Sequence, residues 1–97
     1  MADLLSDCEP ERAFWSTNGV VCRNLNELLL CIKGLNESDF RYHVNQDNKK
    51  NDFAKWILEV IGDEVLARAL SAVLDKDVYA DIIEQRMKHL ESDYKAY

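Results

Sequence analysis

The stretch Asn51-Asp52-Phe53-Ala54-Lys55-Trp56-Ile57-Leu58-Glu59-Val60-Ile61-Gly62-Asp63-Glu64-Val65-Leu66-Ala67 decides the fold class. Phe53, Trp56, Ile57, Val60 and Ile61 recur at i, i+3, i+4, i+7 and i+8, which is one face of an α-helix and not the alternation of a strand. Asn51 or Asp52 stands where an N-cap belongs, and Gly62 is a helix stop. Asp63 then caps a further helix, in which Val65, Leu66, Ala69, Leu70, Val73 and Leu74 make a wide apolar face.

The same punctuation recurs on both sides. Asn24 precedes Leu25-Asn26-Glu27 at capping-box spacing, and Leu25, Leu28, Leu29 and Ile32 form one stripe that ends at Gly34. Asn36 or Ser38 caps a short helix over Asp39–Val44, with Phe40, His43 and Val44 on one side. The stretch 45–51 is polar throughout and reads as loop. Asp75 or Asp77 starts the last helix, with Val78, Tyr79, Ile82, Ile83, Met87 and Leu90 inward and Asp81, Glu84 and Lys88 outward. Arg86 falls beside that stripe, where its stem can snorkel.

Towards the N-terminus, Ala13–Thr17 and Val20–Arg23 flank Asn18-Gly19, the pair favoured by a type I′ hairpin turn because both central residues need positive φ. An isolated hairpin is marginal in water, so its apolar face must lie on the helices. The expected fold is α+β, mainly α: an N-terminal β-hairpin packed on about five short helices. Residues 1–12 read as a flexible arm, 13–91 as a single compact domain and 92–97 as a frayed tail.

The 97 residues leave room for one domain. With 47% apolar and 31% charged residues, the composition is that of a globular chain. No apolar run approaches the ~20 residues that cross a bilayer, and Met1-Ala2-Asp3 lacks a basic signal-peptide start. Membrane association is not expected. Eighteen acids against twelve bases give a net charge of −6, and the only adjacent basic pair is Lys49-Lys50. Direct nucleic-acid binding needs cations gathered on one face and is disfavoured. Cys8, Cys22 and Cys31 share no CxxC or CxxH spacing, and His43 and His89 are far apart, so neither a metal nor another cofactor is expected. Reduced thiols suit a cytoplasmic location.

Phe40-Arg41-Tyr42-His43-Val44-Asn45, a polar loop and then Asn51–Ala67 resemble a domain family of unknown function associated with archaea and bacteria. Its pattern is a Tyr-His pair, a loop of varying length, Asn-Asp-Phe-Ala-x-Trp and a Gly-Asp/Glu-Glu-x-Leu-Ala helix turn. The Asn24–Leu28 helix start is similar to that family's first helix, and the likeness covers about residues 13–74. It implies no activity, but it draws attention to the polar loop.

His43, Asn45, Asn51, Asp52 and Trp56 bracket that loop. One account needs no ligand: Asn51 or Asp52 caps a helix, His43 bonds Asp52 or a helix-end carbonyl, and Phe53 and Trp56 enter the core. The other makes the loop a small-anion site, with Lys49, Lys50 and free helix N–H groups as donors and His43 as a titratable gate. Asp52 stands against this, because its carboxylate would hold the same donors. Trp56 reads as core, whereas Trp15 is open between core and surface. No serine or cysteine completes a catalytic triad with His43. The leading expectation is a non-enzymatic protein-interaction module, self-associating or binding a protein partner. An anion sensor built on residues 43–56 and an acidic inhibitor of a nucleic-acid enzyme are the alternatives.

Overall fold

A computed structural model describes the backbone of residues 4–47 and 49–95 and the side chains up to residue 92. Five helices start where a side-chain oxygen accepts the N–H three residues on. Asn24 accepts from Glu27 at 2.7 Å and Asn36 from Asp39 at 2.8 Å. Asn51 accepts from Ala54 at 3.3 Å, Asp63 from Leu66 at 3.1 Å and Asp75 from Val78 at 3.0 Å. These caps open α1 (Leu25–Gly34), α2 (Glu37–His43), α3 (Asp52–Trp56), α4 (Glu64–Leu70) and α5 (Lys76–Lys95). Each contributes about 1 kcal/mol to its helix. At α1 the carboxylate of Glu27 also reaches back to the Arg23 N–H at 2.8 Å.

The helix expected from Phe53 to Ile61 is not uniformly α. Beyond Trp56 it widens into a π-helical turn (Ile57–Ile61), closed by Gly62 at φ 87°, whose N–H donates to the Ile57 carbonyl at 2.7 Å. Phe53, Trp56 and Ile57 remain buried, but Val60 and Ile61 are only half-buried and Leu58 is exposed. The face expected for α4 is also narrower. Leu66, Ala67 and Leu70 point inward, whereas Val65 and Leu74 are exposed and Val73 is half-buried. For Val73 and Leu74 the cause is length, since α4 stops at Leu70 and the 3.6-residue period no longer governs them; Val65 and Ala69, expected on the same face, lie within α4 on its exposed side. Val78, expected inward, is exposed in the first turn of α5.

Strands β1 (Phe14–Trp15) and β2 (Val21–Cys22) pair antiparallel, Phe14 opposite Cys22 and Trp15 opposite Val21. The turn between them is not type I′. Gly19 has φ 84° but Asn18 does not enter positive φ. Gly19 N–H donates to the Ser16 carbonyl at 2.9 Å and Ser16 N–H to that of Val20 at 3.0 Å, giving a three-residue loop closed by a left-handed glycine. Asn18 instead uses its Oδ1 to accept the Val20 N–H at 3.1 Å.

The polar stretch 45–51, expected as loop throughout, contains a second hairpin. Strands β3 (Val44–Asn45) and β4 (Lys50–Asn51) pair with Val44 opposite Asn51 and Asn45 opposite Lys50. Such a ladder is made by backbone groups and leaves no hydropathy signal. Lys49 N–H closes the turn on the Gln46 carbonyl at 3.1 Å. Lys49 itself has φ 50°, a conformation that costs a side-chain-bearing residue about 1–2 kcal/mol. Asn48, between these residues, lies outside the described residues.

The core is formed where α1 lies against α5, with α3, the π turn and α4 closing it from the side. Leu25, Leu28, Phe40, Phe53, Tyr79 and Ile83 are among its fully buried side chains. At the N-terminus, Leu4 and Leu5 pack on this core, Cys8 N–H donates to the Arg23 carbonyl at 2.7 Å, and Pro10–Arg12 form one 3₁₀ turn. At the other end α5 runs through Lys95, while Met1–Asp3, Ala96 and Tyr97, parts of the arm and tail read from the sequence, lie outside the described residues. Among the described residues no helix is long and apolar enough to cross a membrane.

Candidate functional site

His43 closes α2, and its ring is sealed between three elements. Thr17 N–H, in the first hairpin's loop, donates to His43 Nε2 at 3.2 Å. That nitrogen must therefore carry the lone pair, so Nδ1 carries the hydrogen and donates to Asp52 Oδ2 at 2.9 Å. Phe14, Tyr42 and Phe53 surround the ring with centroids 5.3, 5.2 and 4.9 Å away. Both ring nitrogens are spent on joining the β1–β2 loop and α2 to the start of α3. The imidazole is a brace in this arrangement, with 6% of its side chain accessible.

Asp52 is shared. The same Oδ2 lies 3.4 Å from Lys50 Nζ, and that ammonium sits 3.8 Å above the centre of the Tyr42 ring. The neighbouring Asn51 does more than cap α3. Its Oδ1 also accepts the Tyr79 hydroxyl at 2.6 Å, and its Nδ2 donates to the Leu70 carbonyl at 2.9 Å. One amide thus fastens α3, the end of α4 and α5 together. Burial raises the Tyr79 phenol well above its ordinary range, with a lesser contribution from the Asp52 charge. Trp56 is buried and donates its indole N–H to the Arg12 carbonyl at 2.8 Å, pinning the N-terminal segment to α3. Asn45 donates from Nδ2 to the Arg41 carbonyl at 2.9 Å, which leaves Lys49 as the exposed member of the set.

Trp15 is placed apart from these residues. It is 70% exposed, opposite Val21 on the hairpin face turned away from the core. Val21 in turn lines a groove of about 330 Å³ between β2 and α1, together with Val20, Leu30 and Cys31. A larger groove of about 480 Å³ runs between α3 with its π turn and α4, floored by Ala54 and Ala67 and flanked by Lys55, Leu58 and Arg68. The pattern of residues 43–56 did not point to either groove, because Leu30 and Leu58 look like ordinary members of apolar stripes.

A second missed feature is the pair formed by Asp63 and Arg86. Arg86 does not snorkel: its Nε donates to Asp63 Oδ2 at 2.8 Å and its Nη2 to Oδ1 at 3.1 Å, with the Asp63 side chain 1% accessible. The available signal was the position of Arg86 beside the apolar stripe of α5, where a buried charge requires a partner. Cys8, Cys22 and Cys31 are free thiols. Burial and then the adjacent Cys31 thiol push Cys22 up to about 12, so it is a neutral packing group at physiological pH. Among the described residues no cluster of three histidine, cysteine or acidic side chains is placed to hold a metal.

These elements define a mainly helical α+β domain in which two minimal hairpins are tied to five helices by buried polar side chains. The chain belongs to DUF5752, a family of unknown function whose model matches residues 13–93. No curated protein and no solved structure matches it.

Proposed function

We propose that this domain is a non-enzymatic interaction module, acting in the cytoplasm through protein–protein contact. The observation that carries this reading is exposed apolar surface: Val20 and Leu30, 40% and 60% exposed, line the β2–α1 groove, and Trp15, 70% exposed, stands opposite Val21, which lines it too. An exposed tryptophan adds little to the stability of a single chain but is a strong contributor once a partner covers it, and the neighbouring aliphatic side chains add apolar area to be buried with it. The groups with chemical potential support the same reading. His43 has both nitrogens engaged, Asp63 is held by Arg86, and Cys22 is buried and neutral.

The test compares the wild type with the Trp15→Ser/Leu30→Ser variant, by size-exclusion with light scattering and by capture from native lysate. Exposed sites predict a stability change within about 0.5 kcal/mol per substitution. A concentration-dependent dimer, or a captured protein, that is lost in the variant supports the reading. A strict monomer whose two baits capture the same proteins refutes it.

A further inference from the structure

Two adjoining pockets, of about 290 and 230 Å³, flank the β3–β4 hairpin and share Val44, Asn45, Gln46 and Leu74. Neither shares a residue with the β2–α1 groove. Their charge is inverted relative to the chain. Acids outnumber bases eighteen to twelve overall, yet among the described residues these walls carry Arg41 and Lys49, with the Lys50 ammonium drawn to Asp52, against a single carboxylate, Asp47.

The objections to an anion here are removed by geometry. The Asp52 carboxylate lines neither pocket, because it is drawn to His43 Nδ1 and Lys50 Nζ. The carbonyls at the end of α4 are occupied as well. That of Arg68 accepts from the Ser71 N–H and hydroxyl, and that of Leu70 accepts from Asn51 Nδ2 and the Val73 N–H. Among the described residues Arg41 makes an exposed pair with Glu37 at 3.7 Å, an interaction weak enough to exchange for a better acceptor. Leu74, 47% exposed on the shared wall, offers an apolar rest for the body of a ligand.

Lys49 supplies an independent pointer. The first hairpin places Gly19, at φ 84°, in the left-handed position that closes its turn, and glycine adopts it freely. The second hairpin places a lysine there at φ 50°. Among the described residues it is the only non-glycine residue with positive φ. Backbone strain of this kind gathers where a side chain is needed for function. Here it keeps an ammonium at the mouth of a cationic cleft.

We infer that the cleft binds a small molecule bearing an oxyanion, phosphate or carboxylate, gripped by Lys49 and Arg41 with the Gln46 amide. At about 290 and 230 Å³ each pocket falls just below the usual range for organic ligands, which suits a metabolite-sized anion. The Arg41 fork matches either oxyanion, and the lysine acts as a point charge.

The experiment is an NMR titration of backbone amides with inorganic phosphate and, separately, with citrate, against potassium chloride at matched ionic strength. Saturable shifts at Arg41, Gln46, Lys49 and Leu74, absent with chloride, are expected. Saturation by phosphate alone assigns a phosphate ligand, and saturation by citrate alone assigns a carboxylate. Lys49→Gly separates site from scaffold. It is expected to raise the melting temperature by about 2–5 °C through relief of strain while weakening the anion by about tenfold. Arg41→Gln weakens it without lowering the melting temperature. Shifts that track chloride, or unchanged affinity in Lys49→Gly, overturn the site; a lower melting temperature in that variant overturns the strain argument.

Discussion

Replacing Arg86 with leucine removes the one positive group that, among the described residues, lies within bonding distance of a carboxylate that is 1% accessible. Asp63 then loses the 2.8 and 3.1 Å donors and retains the Leu66 N–H at 3.1 Å. Two charge-assisted bonds at about 1.5–3 kcal/mol each, with a buried charge left behind, set the cost at about 3–5 kcal/mol. A domain of this size has about 5–15 kcal/mol in all, so the variant approaches the folding threshold. Its melting temperature should fall by about 15–30 °C.

Asp63→Asn behaves differently. Asparagine caps α4 as well as aspartate does, and Arg86, 20% accessible, can turn to water. Its cost should be about 1–2 kcal/mol. The double variant buries no charge and keeps the cap, so it should cost about 2–4 kcal/mol against a sum of about 4–7 for the two single variants, a coupling energy of about 2–3 kcal/mol. Urea unfolding followed by far-ultraviolet circular dichroism measures all four corners of the cycle. The reasoning is refuted if Arg86→Leu costs less than about 1 kcal/mol, or if the two single costs simply add.

Asn51→Ala loses the cap on Ala54, takes the acceptor from the Tyr79 hydroxyl and leaves the Leu70 carbonyl with the Val73 N–H as its donor, and should cost about 2–4 kcal/mol in urea unfolding. Asn51→Asp keeps the two acceptor roles but sets a carboxylate against the Leu70 carbonyl, so it should fall between alanine and wild type. Stability should also decline in alkali. Cys22 rises from 9.0 to about 12 on folding, and Tyr79 rises from 10.0, so below about pH 9 both groups are protonated whether folded or not. Above those unfolded values only the unfolded chain ionises, and stability is lost as pH climbs towards the folded values. Cys22→Ala should shrink the onset near the thiols' unfolded value to the part due to Cys8, whose thiol is likewise raised by burial, and leave the decline due to Tyr79. A stability that is flat between about pH 8 and pH 10.5 would contradict both assignments.

The helix starts were legible because capping is local. Asn24, Asn36, Asn51, Asp63 and Asp75 each need only a free N–H three residues ahead, a relation the sequence spacing displays. The contact of His43 with Asp52 was legible for a similar reason: nine residues and one turn separate them. The other nitrogen's partner was not. Thr17 lies 26 residues away and contributes a backbone N–H, which every non-proline residue possesses. The anion site shows the limit from the other direction. The two lysines were visible, but only the structure shows that Asp52 turns to His43 and Lys50 and leaves Lys49 exposed at the proposed pocket.

The order and starts of the helices, the presence of the first hairpin and most of the core residues follow from the chain alone, because periodicity and caps act within a few residues. Tertiary packing decided the second hairpin, the π turn, the Asp63–Arg86 bond and which apolar side chains remain outside. Each of these depends on a partner more than twenty residues away or on backbone groups common to all residues, and neither leaves a mark in a local pattern.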